Sequence, residues 1–111
     1  MRLLVLSDIH GNWPALQAIE EDTDAVVCLG DMVSYGPFPH ECIAWVQERA
    51  AHVLRGNHDT ALAFHADPNA AGFKRELARA TLAVHRRTLS GYAMDWLRSL
   101  PTQLRFRFGD H

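Results

Sequence analysis

The sequence predicts an α/β protein built on a parallel sheet. Short strand-like runs recur along the first half: Leu3-Leu4-Val5-Leu6, Ala25-Val26-Val27-Cys28-Leu29 and His52-Val53-Leu54. Stretches with helical spacing separate them, as in successive β-α-β units. The first two runs are continuously apolar, the pattern of parallel strands covered on both faces.

Taken in order, the first run turns polar at Ser7-Asp8, and Gly11-Asn12 then breaks the chain. Pro14 sits where a first helical turn favours proline. The helix begun there should run through about Glu21, with Trp13, Leu16 and Ile19 or Glu20 at three-to-four-residue spacing. Asp24 leads into the second run, which stops at Gly30-Asp31. The loop Tyr35-Gly36-Pro37-Phe38-Pro39 connects to a helix from about His40 to Arg49, with Ile43, Val46 and Cys42 turned to the core. The third run ends at Gly56-Asn57.

Beyond Asp67-Pro68-Asn69, a helix over about Phe73 to Thr88 would set Phe73, Leu77, Thr81 and Val84 on one side. Arg75, Arg79 and Arg86 would lie on another side, with Arg87 beside them, as a solvated face. Ser90 can cap a further helix carrying Met94, Trp96 and Leu97, which Pro101 terminates. Leu104, Phe106 and Phe108 then alternate with Gln103, Arg105 and Arg107, the period of a half-exposed strand. Gly109-Asp110 reads as a hairpin turn. A hairpin that opens without closing before His111 reads as an incomplete chain.

The 111 residues suit one domain, and 48% hydrophobic content suits one packed core. A net charge of -2 gives no electrostatic reason to expect nucleic-acid binding. Cys28 and Cys42 lack metal-type spacing and read as small buried residues, which fits a reducing cytoplasm. Met1 to Leu6 is too short for a signal peptide, and no run reaches membrane-spanning length. Trp13, Trp45 and Trp96 fall on helices and read as core anchors.

Each strand ends in residues that can bind metal: Asp8-Ile9-His10, Gly30-Asp31 and Gly56-Asn57-His58-Asp59. Beyond the carboxyl ends of parallel strands such loops converge on one crevice. Asp8 and His10, two apart in extended backbone, would point the same way. Oxygen and imidazole ligands together suit manganese, iron or zinc. A lone strand-end aspartate more often caps a helix, and a lone Gly-Asn is more often a turn. Three such groups, in order and each after a strand, favour a shared site.

These three motifs resemble the first three signatures of the calcineurin-like metallophosphoesterases. The stretch Gly30-Asp31-x-x-x-Tyr35-Gly36-Pro37-x-Pro39-x-Glu41-Cys42-Ile43 further resembles a bacterial and archaeal branch of small phosphodiesterases. The resemblance implies the N-terminal part of a two-sheet αββα sandwich. It implies a dinuclear centre with a bridging hydroxide, holding manganese or else iron, zinc or nickel. Asp8, His10 and Asp31 would bind the first ion, and Asp31 and Asn57 the second. His58 would protonate the leaving oxygen or stabilise phosphoryl charge, and Asp59 would orient its imidazole. Asn57 and His58 would meet the substrate, a phosphodiester or nucleotide. Tyr35, near Asp31 in the sequence, reads equally as a substrate-binding phenol donating to phosphate and as a packed aromatic of a turn.

Family members carry three further histidine ligands downstream, two of them in a Gly-His-x-His motif that this sequence lacks. The resemblance therefore implies a single domain over residues 1–111, incomplete at its C-terminus and inactive by itself. The unpaired last strand would favour a homo-oligomer or a strand-swapped dimer. His65 and His85 fall on predicted helices and read as solvated, and His111 falls at the hairpin turn. Rival readings are a phosphomonoesterase, a protein phosphatase, a dinucleoside-polyphosphate hydrolase, or a non-catalytic protein-interaction module on the same fold.

Overall fold

Strand, helix, strand, helix, strand is the order found in the computed structural model, which describes residues Met1–Asp110. β1 (Leu3–Leu6), α1 (Trp13–Gln17), β2 (Ala25–Cys28), α2 (Pro39–Arg49) and β3 (His52–Val53) follow in turn. Three helices complete the chain: α3 (Asn57–Phe64), α4 (Phe73–Thr88) and α5 (Gly91–Ser99). The sheet has three strands in the order β1-β2-β3, all parallel.

Register decides which strand residues share a face. Leu6 pairs with Cys28 and Cys28 with Val53, so these three side chains lie on one face. That face joins the helical core of Leu16, Ile43, Val46, Leu62, Leu82 and Leu97. The other face carries Val5, Val27 and His52. It is open along β1, where Leu3 and Val5 are 42% and 50% exposed. The expectation that the first strand is covered on both faces therefore fails.

α1 stops at Gln17, one turn short of the expected end at Glu21. Beyond it stand Glu20, Glu21, Asp22 and Asp24, and carboxylates at a helix C-terminus meet the negative end of its dipole. α2 follows the predicted course and buries Cys42, Ile43 and Val46. α5 begins where Ser90 Oγ accepts from the Ala93 N–H (3.1 Å) and ends at Leu100, before Pro101. The three tryptophans pack against the core, as expected of anchors.

α4 has the predicted limits but presents a different side to the core. Ala78, Leu82 and His85 are buried, whereas Phe73, Leu77 and Val84 are exposed. The small Ala78 allows a close approach, and His85 has buried hydrogen-bond partners that fix the rotation. Arg75 and Arg79 lie at the surface near Asp67, while Arg86 Nη2 donates to the Ala61 carbonyl (3.1 Å) and so is not merely solvated.

Leu104 to Phe108 does not form the predicted strand. Among the described residues no neighbouring strand offers that segment a ladder. Phe106 instead stacks on the His52 ring, with centroids 4.0 Å apart and planes 3° apart, and Phe108 meets the same ring edge-on. The segment thus lies against the second face of the sheet through its aromatic side chains. His111 lies outside the described residues.

Candidate metal centre

The loops after β1 and β2 are laced together by backbone bonds. The Asp8 N–H donates to Gly30 O (3.2 Å), that of His10 to Asp31 O (2.9 Å), and that of Gly11 to Met32 O (2.8 Å). Asp8, His10 and Asp31 all take left-handed backbone, with φ of 56°, 47° and 59°. Non-glycine residues in that region cost on the order of 1–3 kcal/mol each, and such outliers cluster at functional sites. The side chains of Asp8 and His10 converge, but through these turns and not through the extended backbone expected from the sequence.

The ligand-capable atoms of Asp8, His10 and Asp31 lie within 4.8 Å of one another. His10 Nδ1–H donates to the Val33 carbonyl at 2.8 Å, which leaves Nε2 as the free ligand atom, 3.5 Å from Asp8 Oδ1. A metal-binding histidine characteristically has its other nitrogen held in this way. Asn57 Nδ2 donates to the Pro68 carbonyl, which leaves the amide oxygen Oδ1 for a ligand. These donor sets fit divalent ions of the manganese, iron and zinc kind. Glycine is required where the third loop meets the second, since a Cβ on Gly56 would fall 2.2 Å from Asp31 Oδ1.

Asp8, His10, Asp31, Tyr35, Asn57 and His58 line one cleft of about 710 Å³. The sequence motifs therefore meet as expected. The rings of His10, Tyr35 and His58 touch one another, with centroid separations of 4.8 to 5.2 Å. His58 is 6% exposed, and its Nδ1 has no hydrogen-bond partner. Burial lowers its pKa below the ordinary histidine value, and the adjacent Asp31 carboxylate opposes that shift.

Asp59 does not orient His58. Its Oδ2 accepts from the N–H groups of Asp31 (2.7 Å) and Gly56 (2.9 Å), and Oδ1 accepts from Met32 N–H (3.0 Å). Three backbone donors engage both oxygens and turn the carboxylate away from the cleft to join the end of β2 to the start of α3. Burial nevertheless raises its pKa to about 6. The sequence sets His65 on a helix but assigns that helix no limits; α3 ends one residue before His65. Its first turn aims the His58 N–H at Asp31 Oδ1 (2.9 Å), so the positive end of the helix faces a carboxylate.

His85 is the residue that sequence reasoning missed. It is 2% exposed, where a solvated side chain was expected. Nδ1 accepts from Ser34 N–H (3.1 Å), and Nε2–H donates to the Gly36 carbonyl (2.8 Å). Thr81 Oγ1 accepts from the Tyr35 N–H at 2.8 Å. Together they hold Ser34 and Tyr35, both in left-handed backbone, beside the metal loop. His65 is exposed and terminates α3 in left-handed backbone. Both cysteines are free and buried, and burial raises their thiols to about 11 for Cys28 and about 12 for Cys42. Among the described residues no helix is long and apolar enough to cross a membrane.

The family model for calcineurin-like phosphoesterases matches residues 1–107. A metallophosphoesterase structure from Sphaerobacter thermophilus superimposes with a TM-score of 0.78 at 32% identity, over 96% of this chain and 44% of that one. A candidate diadenosine tetraphosphatase, 24% identical, superimposes with a TM-score of 0.61 over 90% of this chain and 43% of the other, and shows the fold alone. An uncharacterised protein of Methanocaldococcus jannaschii is 39% identical over a 62-residue alignment that covers 51% of this chain and 26% of that protein. The chain thus spans about a quarter of this curated relative and under half of each of these two solved structures.

Proposed function

Since the chain belongs to the calcineurin-like phosphoesterases, we propose that it serves the hydrolysis of phosphate esters, with phosphodiesters and nucleotides as substrates. The observation that carries this reading is the convergence of Asp8, His10 and Asp31 within 4.8 Å, on a cleft shared with Asn57 and His58. Asp8, His10 and Asp31 would hold a first divalent ion, and Asp31 and Asn57 a second, with manganese the first candidate. When bound, such ions supply Lewis acidity to the phosphate oxygens and lower the pKa of the attacking water.

The residues of the chain divide the remaining tasks. The Val33 carbonyl fixes the His10 tautomer, and the Pro68 carbonyl fixes the Asn57 amide. Tyr35 closes one wall of the cleft against His10 and His58. His58 meets the phosphoryl group. With its pKa lowered it is neutral at pH 7, so it stabilises charge by donating a ring N–H, and burial makes that donation stronger. Asp59 acts on the site by holding the Asp31 loop to α3.

The buried free cysteines suit a reducing compartment, and we place the protein in the cytoplasm. Leu104 and Phe106, both exposed, favour self-association. The activity is tested on the protein as its gene encodes it, stripped with chelator and assayed on bis(p-nitrophenyl) phosphate with and without manganese. Turnover should vanish on chelation and return with the metal. Turnover unchanged after complete metal removal would refute the reading.

A further inference from the structure

The cleft does not end at the metal ligands. Its other end is lined by Ala70, Phe73, Lys74 and Leu77, most of them from the first turns of α4. At about 710 Å³ it lies in the range of clefts that enclose a whole organic ligand. A phosphate held at the aspartate and histidine end would leave the apolar end filled only by water.

Building on the phosphoesterase reading, we propose that Phe73, Lys74 and Leu77 form a subsite for the nucleobase of a nucleotide substrate. Phe73 is 81% exposed, although α4 buries Ala78, Leu82 and His85 on its other side. A phenyl ring left open within a cleft is a platform on which a planar base can stack. Arg75 and Arg79 are drawn toward Asp67, whereas Lys74 has no ion pair among the described residues. Its ammonium offers donors that the ring nitrogens and carbonyls of a base accept and an alkyl group cannot.

The subsite is held in register with the metal loops. Tyr35 N–H donates to Thr81 Oγ1 and Ser34 N–H to His85 Nδ1, so two α4 residues grip the loop that forms the wall of the cleft. The Tyr35 hydroxyl reaches the Lys74 carbonyl through a longer contact of 3.5 Å. Distance between the phosphate and base positions is thereby set by packed elements, and a ligand spanning both ends loses little entropy in ordering them.

The test uses the protein as its gene encodes it, loaded with manganese and titrated calorimetrically with AMP and with ribose 5-phosphate. The two ligands share the phosphate and sugar and differ by the base. AMP should bind about 5- to 150-fold more tightly, the span expected for one stacked base. Phe73→Ala should collapse that ratio to about one and leave ribose 5-phosphate affinity unchanged, while Phe73→Trp preserves the ratio. Equal affinities in the wild type, binding of neither ligand, or a Phe73→Ala variant that weakens both alike would overturn the proposal. A parallel hydrolysis assay keeps the two ideas separable. Absent turnover counts against the reaction, while the affinity ratio still decides the subsite.

Discussion

Burial keeps His85 neutral at pH 7, and its two ring nitrogens serve different partners. Protonation of Nδ1 would remove the acceptor that holds Ser34 N–H and place a charge in a buried position. Its folded pKa therefore lies below the unfolded value, about 6.5. The unfolded chain takes up the proton first, so stability is full above that value and falls as pH drops below it. His40 and Glu41 line the hollow next to His85. We expect urea midpoints to fall between pH 7.5 and pH 5.5 by more in the wild type than in His85→Gln, which keeps a donor and an acceptor without the titration. Equal falls in the two proteins would contradict this role. The sequence made the candidate metal residues legible because Asp8, His10, Asp31 and Asn57 each follow a strand, and the fold brings strand ends together. Asp59 misled because adjacency to His58 in the chain says nothing about which way a helical side chain points. For His85 a signal existed: Ala78, Leu82 and His85 stand at i, i+4 and i+7, one helix face.

α4 shows how limits and orientation of an element carry different information. Its start and end at Phe73 and Thr88 were legible because Gly72 precedes the helical run and Ser90 follows it. Its rotation was harder to read, since Ala78, Leu82 and His85 share a face but the hydrogen bonds that bury His85 come from Ser34 and Gly36, remote in sequence. Leu82→Ala should therefore cost about 2–5 kcal/mol in chemical denaturation, as for other buried leucines, because Leu82 sits within the helical core. Val84→Ala, at an exposed position, should change stability by about 0.5 kcal/mol or less. The opposite order would restore the face that hydrophobicity alone suggested. The Leu104–Phe108 segment teaches a related lesson. Its alternation reads as a half-exposed strand, and that reading fails because a strand also needs a neighbour. Here Phe106 finds the His52 ring instead.

At the scale of the molecule, three short parallel strands bring three loops to one edge, and the site exists only where those loops meet. No ligand of the proposed centre lies within a strand, and Asn57 stands at the very start of α3. The centre therefore depends on the β1-β2-β3 register and on the clasp of Asp59 between the second and third loops. In the proposed reading Asp31 would serve both ions, whereas His58 would meet the substrate and hold no metal. The measurement that tests this most directly is bound manganese per chain in the wild type, Asp31→Ala and His58→Ala, prepared side by side from the protein as its gene encodes it. The wild type and His58→Ala should carry the same metal content, with turnover in His58→Ala lower by roughly 10²–10³-fold, as for loss of one charge-stabilising donor. Asp31→Ala should lose its metal. Metal retained by Asp31→Ala, or lost from His58→Ala, would contradict the account.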